Sequence, residues 1–514
     1  MRIKLLTIIV LAFAVGCSDA NVRGRVTCDG KGVSGVAVSD GVNVTVTGWS
    51  GRYRLRSDKE NGYVFISVPS GYEVGRRGII PDFFRPVDTA QVSVADFVLY
   101  KTDQSAFNVA VCSDIHLTGD AVDKDIPEFR STFLPDIINT VSHLDTPTFA
   151  ICLGDMTTDS KWYVNNFSFP EYLQEMSGLP CPMYHVMGNH DNDRKCEGNV
   201  IEWEMRAEER YKREIGPDYY SFNAGNWHFL MLDDIITTGP KTEDNPADTY
   251  VGKYGFTYAV DSVQMRWIEQ DLSFVPKDRG IVVCMHVPYF TISGLEDGKV
   301  KYRYSASGKH SPDRLLALLS GYREVHFLCG HHHRSQTFDI AENMVQHVLP
   351  SASAVSWKIN DLGGPMICDD GTPAGYKLFR FEGDSISWVY KSNYEAVEEC
   401  QCSVYDLNAV PVAFGGAPAS NEVLINVFGW DPEWTVEAFA DGIPLEITQV
   451  CSYDPHYLSI RNRTRTLLHR PDAFRETKTV HIFKCRRPSG NSGIEIVLTD
   501  RFGRQFTRKG FDDI

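Results

Sequence analysis

The stretch VHFLCGHHHRSQ, residues 325–336, runs an apolar segment into a glycine and three consecutive histidines, His331, His332 and His333. Adjacent histidines form a chance surface cluster as easily as a ligand set, so the rest of the chain has to decide. Four other apolar runs end in the same way. FNVAVCSDIH (107–116) delivers Asp114 and His116, and TFAICLGD (148–155) delivers Asp155. MYHVMGNHD (183–191) delivers Asn189, His190 and Asp191, and GIVVCMH (280–286) delivers His286. Between these runs lie helical patterns such as FRSTFLPDIINTVSHL (129–144) and VQMRWIEQDLSFV (263–275). Strand-like runs alternating with helical ones predict an α/β domain over 105–385. In such sheets, sites form outside the carboxyl ends of strands. Each residue alone has an ordinary reading: Asp114 as a helix cap, Gly154-Asp155 as a turn, His286 as a satisfied polar residue. Five strand ends that all deliver Asp, Asn or His make chance a poor account.

The flanks differ in texture. Residues 21–100 are rich in Gly, Val and Thr, as in VRGRVTCDGKGVSGVAVSD (22–40), and read as a small β-rich unit. Its plain role is a spacer; the sharper alternative is a carbohydrate- or surface-binding module. Residues 395–514 return to strand-like runs, including NEVLINVFGW and KTVHIFKC. The expected architecture is an α/β core between two β-sandwich-like domains.

The 514 residues suffice for about three domains. A formal net charge of −16 argues against duplex nucleic acid as the partner, since that needs basic patches. A small phosphorylated substrate stays open if metals supply local positive charge. The start, MRIKLLTIIVLAFAVGCSDA, has a short basic region and an apolar stretch too short to span a membrane. With AVG before Cys17, residues 1–20 read as a lipoprotein signal and tether. The expectation is an exported protein held to a bacterial cell-envelope membrane by lipid at Cys17, periplasmic or surface-facing. Cys112, Cys152, Cys284 and Cys329 sit in apolar runs and are expected to be free buried thiols, while Cys181 and Cys196 could pair.

The ordered series DIH (114–116), GD (154–155), GNHD (188–191), His286 and GHHH (330–333) resembles the calcineurin-like metallophosphoesterase family, and in particular its exported bacterial members with β-rich domains on both sides. The resemblance implies a central α/β/β/α sandwich and two metal ions, divalent or mixed-valence, drawn from Mn, Fe, Zn or Ni. One metal would be held by Asp114, His116 and His333, the other by Asn189, His286 and His331, with Asp155 bridging. The family pattern GH-x-H leaves His332 in the variable position. Extended backbone after the strand would also point residues i and i+2 to one side. A hydroxide between the metals would attack phosphorus. His190 would face the substrate, stabilising it or protonating the leaving oxygen, with Asp191 orienting its ring. Purple acid phosphatases, a related branch, carry Tyr where this chain has Thr158, so a tyrosinate–iron centre is not expected. The implied activity is a phosphodiesterase. The alternatives are a phosphomonoesterase of the same fold, or a surface-binding protein with a vestigial core. Loops 192–217 and 291–312 are candidates for specificity, with Lys301, Arg303, Lys309 and His310 as contacts for an anion. Trp357 could line the pocket or pack between domains.

Overall fold

The computed structural model describes residues 20–121, 124–193, 203–240, 254–305, 313–355, 357, 365–399, 401–469 and 474–514. The signal segment, Cys17, Cys196, Lys309 and His310 lie outside them.

Strand Ala106–Cys112 is buried along nearly its whole length, as expected for a strand covered on both faces. It sits inside a five-stranded sheet with the order Met183–His185, Thr148–Cys152, Ala106–Cys112, Gly375–Glu382, Ser385–Ser392. The first three strands are parallel and the last two antiparallel. A second sheet has the order Tyr220–Ala224, Trp227–Met231, Gly280–Cys284, Glu324–Cys329, Met344–Val348, Gln336–Ala341, with its four middle strands parallel. Because Ser385–Ser392 belongs to the first sheet, the central body extends through Ser392 rather than stopping at 385.

Aromatic rings fill the space between the sheets. Phe107 stacks on Phe381 at 4.7 Å and Phe222 on Phe229 at 4.7 Å, while Phe149 meets Phe229 edge-on. Such pairs contribute about 0.5–1.5 kcal/mol each beyond their area. On the outer faces, Phe129, Phe133 and Ile137 pack on Ala110, Cys112, Ala150 and Cys152, and Trp267, Ile268 and Leu272 join the core of the second sheet. Helix Ser262–Leu272 begins at Asp261, whose carboxylate accepts the Gln264 N–H. The layers are therefore α/β/β/α.

Residues 22–101 form a β module of a six-stranded sheet, a four-stranded sheet and a two-stranded ribbon. It docks through Asn223 N–H to Val68 O (2.8 Å) and Tyr219 Oη to Gly41 O (2.7 Å). After Ser392 come two more four-stranded sheets and helix Pro455–Leu468. Arg334 forks onto Asp369 at 2.7 Å from each nitrogen and ties this end to the core by donating to Thr477 Oγ1 at 2.8 Å. Cys112, Cys152, Cys181, Cys284 and Cys329 are buried free thiols.

Candidate metal centre

The ladders stop at Cys112, Cys152, His185, Cys284 and Cys329, and the loops that follow meet at one edge of the paired sheets. There the backbone turns left-handed. Asp114, His116, Asp155, His331 and His333 have φ of 55, 50, 53, 65 and 53°. Non-glycine residues seldom adopt this region, and when held there they cluster at functional sites. This corrects the expectation of an extended strand end. His331 and His333 converge because both are left-handed, not because they alternate along a strand. His332 between them turns its Nε2 to Ser305 Oγ, 3.2 Å away.

The motif glycines are where these loops touch. A Cβ on Gly330 would lie 1.8 Å from Ser113 Oγ, and one on Gly188 would lie 2.3 Å from the Asp155 nitrogen. Side chains there would push the loops apart.

The contacts at the centre are mostly between acceptors. The Nδ1 of His333 lies 2.7 Å from Ala354 O and donates to it, which leaves Nε2 to take a proton or a metal ion. That nitrogen is 3.2 Å from Asp114 Oδ1 and 3.1 Å from His116 Nε2. Likewise His286 Nδ1 donates to Leu153 O at 2.7 Å, and its Nε2 faces Asp155 Oδ2 at 3.3 Å, Asn189 Oδ1 at 3.2 Å and His331 Nδ1 at 3.3 Å. Asp155 Oδ2 is also 3.6 Å from His116 Nε2, so this carboxylate stands between both groups. Ring nitrogens and carboxylate oxygens that converge this closely need a cation among them, a proton or a metal ion. Burial pulls the His286 imidazole down, but the Asp155 carboxylate outweighs it and pushes the ring to about 10. Burial also opposes the charge on Asp155, yet His286 and His190 hold it well below the usual carboxylate range. Burial lowers His116 and His331 to about 3, which keeps them neutral, the form that binds metal. Three carboxyl and amide oxygens with four imidazoles suit divalent transition metals.

The sequence model of the family described as calcineurin-like phosphoesterase matches residues 107–335. The models for the N terminal and C terminal of calcineurin-like phosphoesterase match residues 20–102 and 347–506. The chain belongs to the calcineurin-like phosphoesterase family. A probable cyclic nucleotide phosphodiesterase of Moraxella catarrhalis (strain BBH18) is 28% identical over 144 residues, 26% of this chain and 47% of that protein, so the chain spans about half the length of this relative. Among solved structures, a dimetal phosphatase from Danio rerio is 14% identical over 56% of this chain and 97% of its own, with a TM-score of 0.33. A purple acid phosphatase from yellow lupin (Lupinus luteus) is 12% identical over 70% of this chain and 67% of its own, with a TM-score of 0.35.

In this phosphoesterase, Asp114, His116 and His333 form one compact group and Asp155, His286 and His331 another, with Asn189 beside the second. His190 stands next to them: its amide donates to Asp155 Oδ1 (2.7 Å) and its Nδ1 meets Asp159 Oδ1 (2.8 Å). Asp159, not Asp191, is thus the carboxylate on the His190 ring. Asp191 is buried and accepts the amides of Asp155 (2.7 Å), Met156 (3.1 Å) and Gly188 (2.9 Å). Its role is to clamp the GD loop to the GNHD loop. Burial, followed by the Asp155 charge, raises it to about 7. The sequence carries the signal for Asp159, four residues after Asp155, but nothing local distinguishes it from a helix-start acid.

A cavity of about 390 Å³ opens over the centre, lined by His190, His116 and His333 and walled by Val355 and Trp357. Trp357 is fixed by its indole N–H on Ile115 O (2.8 Å), so it lines the pocket. Thr158 Oγ1 lies 3.4 Å from His116 Nδ1. Among the described residues the cation on the rim is Lys161, paired with Asp120 at 2.9 Å, which the sequence reading missed. Lys301 and Arg303 lie on an exposed hairpin away from this lining, Lys301 paired with Glu296 at 3.1 Å.

Proposed function

We propose that this phosphoesterase is a phosphodiesterase acting on a small extracytoplasmic phosphorylated substrate while tethered by lipid at Cys17. The observation that carries the reading is the double convergence of imidazole nitrogens and carboxylate oxygens around Asp155 beneath a cavity bordered by His190. Asp114, His116 and His333 would hold one metal and Asn189, His286 and His331 the other, with Asp155 shared. Bound metals supply the positive charge that polarises the phosphoryl oxygens and acidifies the attacking water. Asp191 holds the Asp155 loop in register through three amides. Asp159 takes the Nδ1 proton of His190 and stabilises charge on the ring, which leaves Nε2 to protonate the departing oxygen.

The rim supports a diester over a monoester. Among the described residues the lining has one lysine, opposed by Asp120, the neutral Thr118, Thr158 and Ser160, and an apolar wall of Val355 and Trp357. A monoanionic diester with two organic arms suits that better than a dianion. The relative named as a probable cyclic nucleotide phosphodiesterase adds that substrate class to those worth assaying. Export and anchoring rest on the basic–apolar–AVGC start of the chain. With metals restored after chelation, bis(p-nitrophenyl) phosphate should show a kcat/KM at least about tenfold above p-nitrophenyl phosphate. Equal or reversed preference overturns the diester reading. Cys17→Ala should move the protein out of the membrane fraction; unchanged partition overturns the anchor.

A further inference from the structure

The outer face of the N-terminal module carries like charges where a sheet ordinarily avoids them. Strand Val22–Cys28 pairs antiparallel with Arg52–Leu55 so that Arg23 lies opposite Arg54 and Arg25 opposite Arg52. Directly opposed side chains are about 5 Å apart at Cβ, and like charges there are destabilising. The alternate residues, Tyr53 and Leu55, point inward and are buried, so all four arginines share the outer face. Register places Val94 beside Arg23 and Val98 beside Thr27 on that same face. These valines and Tyr100 are 63, 49 and 52% exposed, and Trp49, in the turn before Arg52, is 91% exposed. Acids on this face among the described residues include Asp96, which accepts the Arg25 amide at 2.7 Å, and Glu73, opposite Tyr100. Arg25 Nε also donates to Ser50 O at 3.0 Å, which draws that arginine toward the turn bearing Trp49. A basic, aromatic-edged face on a chain of net charge −16 is a local exception.

Chain length says what covers it. Asn21 is fixed to the module: its side chain bonds Ser57 O (2.7 Å) and accepts the Ser57 amide (2.9 Å), and its carbonyl accepts from Ser93 (2.9 Å). Between Cys17 and Asn21 there are four residue steps, at most about 14 Å of extended chain. We infer that this arginine face docks on the anionic phospholipid headgroups of the membrane to which Cys17 is tethered. The inference rests on the anchor proposed above. The arginines would meet phosphates, which relieves their mutual repulsion, and Trp49, Val94, Val98 and Tyr100 would enter the interfacial layer, where tryptophan and tyrosine are favoured. The module then lies flat on the bilayer and sets the orientation of the catalytic body, instead of acting as a loose spacer.

The test separates docking from anchoring. The chain from Ser18 onward, which contains every described residue but no acylation site, is mixed with vesicles of 30% phosphatidylglycerol in phosphatidylcholine and sedimented. It should bind at low salt, release at high salt, and ignore pure phosphatidylcholine. The variant Arg23→Gln/Arg25→Gln/Arg52→Gln/Arg54→Gln should bind at least about 50-fold more weakly, given roughly fivefold per arginine at an anionic surface. Trp49→Ser should weaken binding alone. Both variants should hydrolyse bis(p-nitrophenyl) phosphate as the parent does, which shows that they fold. No binding to anionic vesicles, or equal binding by the arginine variant, overturns the inference. Retention on heparin without vesicle binding also overturns it, in favour of an anionic glycan. Because this chain lacks Cys17, the result is independent of whether Cys17→Ala releases the full protein.

Discussion

Two groups of histidines lie in the same pair of sheets with nearly the same spacing, and they do opposite things. At the edge, His116 and His333 are 3.1 Å apart. In the middle of the second sheet, His326 Nδ1 is 3.0 Å from His347 Nε2. The inner pair belongs to a chain in which each ring nitrogen has its own partner. His326 Nε2 meets Glu324 Oε1 at 3.0 Å, His347 Nδ1 meets Thr337 Oγ1 at 3.4 Å, and Lys377 Nζ donates to the same hydroxyl at 2.6 Å. Trp388 closes it off edge-on, 4.6 Å from His347. The outer group instead aims several ring nitrogens and carboxylate oxygens at common points. Mid-strand residues have neighbours fixed by register and satisfy one another; residues in left-handed loops past the strand ends can converge and stay unsatisfied. Unsatisfied convergence marks the chemistry; the satisfied chain is part of the core.

The comparison breaks most visibly if an edge histidine proves dispensable. His331→Ala and His333→Ala should each lose one metal, read by elemental analysis, and at least about 100-fold in diester hydrolysis, since even second-sphere changes cost 10–100-fold. Full metal content in either variant would make the edge cluster no different from the inner one. One step smaller, His190→Ala should keep both metals and lose about 100-fold, most with poor leaving groups. Asp159→Asn should follow the same leaving-group trend with roughly a tenfold loss, as expected of a carboxylate partner acting through the ring. A flat leaving-group profile for Asp159→Asn would return the orienting role to another residue.

The inner cluster should answer in stability, not rate. Burial, against the pull of Asp431, lowers the fully buried Lys377 ammonium to about 7. The unfolded chain holds that proton up to its ordinary lysine range. Between about pH 7 and 10 the unfolded state therefore binds more protons, and stability rises with pH across this window. Below about 7 the full cost, of order a few kcal/mol, is present. Lys377→Met should raise the melting temperature at pH 7, flatten its rise toward pH 10, and leave metal content and hydrolysis unchanged. A lower melting temperature would show that the lysine holds the sheets together. The smallest effect belongs to His332→Ala: both metals retained and a rate change within about threefold, because the half-buried ring meets Ser305 and not the ligand groups. Metal loss there would reassign the triplet.

The sequence by itself determined the α/β alternation, the β-rich flanks and the full set of Asp, Asn and His at strand ends. Those follow from apolar runs and from residue types that have few other reasons to recur at such positions. His331 and His333 were legible as a pair, but the extended-backbone argument for them was wrong, because left-handed φ leaves no mark on a histidine in a sequence. Only the tertiary structure decided that Asp191 clamps two loops while Asp159 takes the His190 ring. Both are acids near a motif, and which one reaches the imidazole depends on how a short helical turn after Asp155 folds back over the GNHD loop. The same holds for Lys161 on the rim and for the arginines of the N-terminal face. Alternation in RYRLRS shows which side of a strand is polar, but strand register, a long-range property, put Arg23 opposite Arg54.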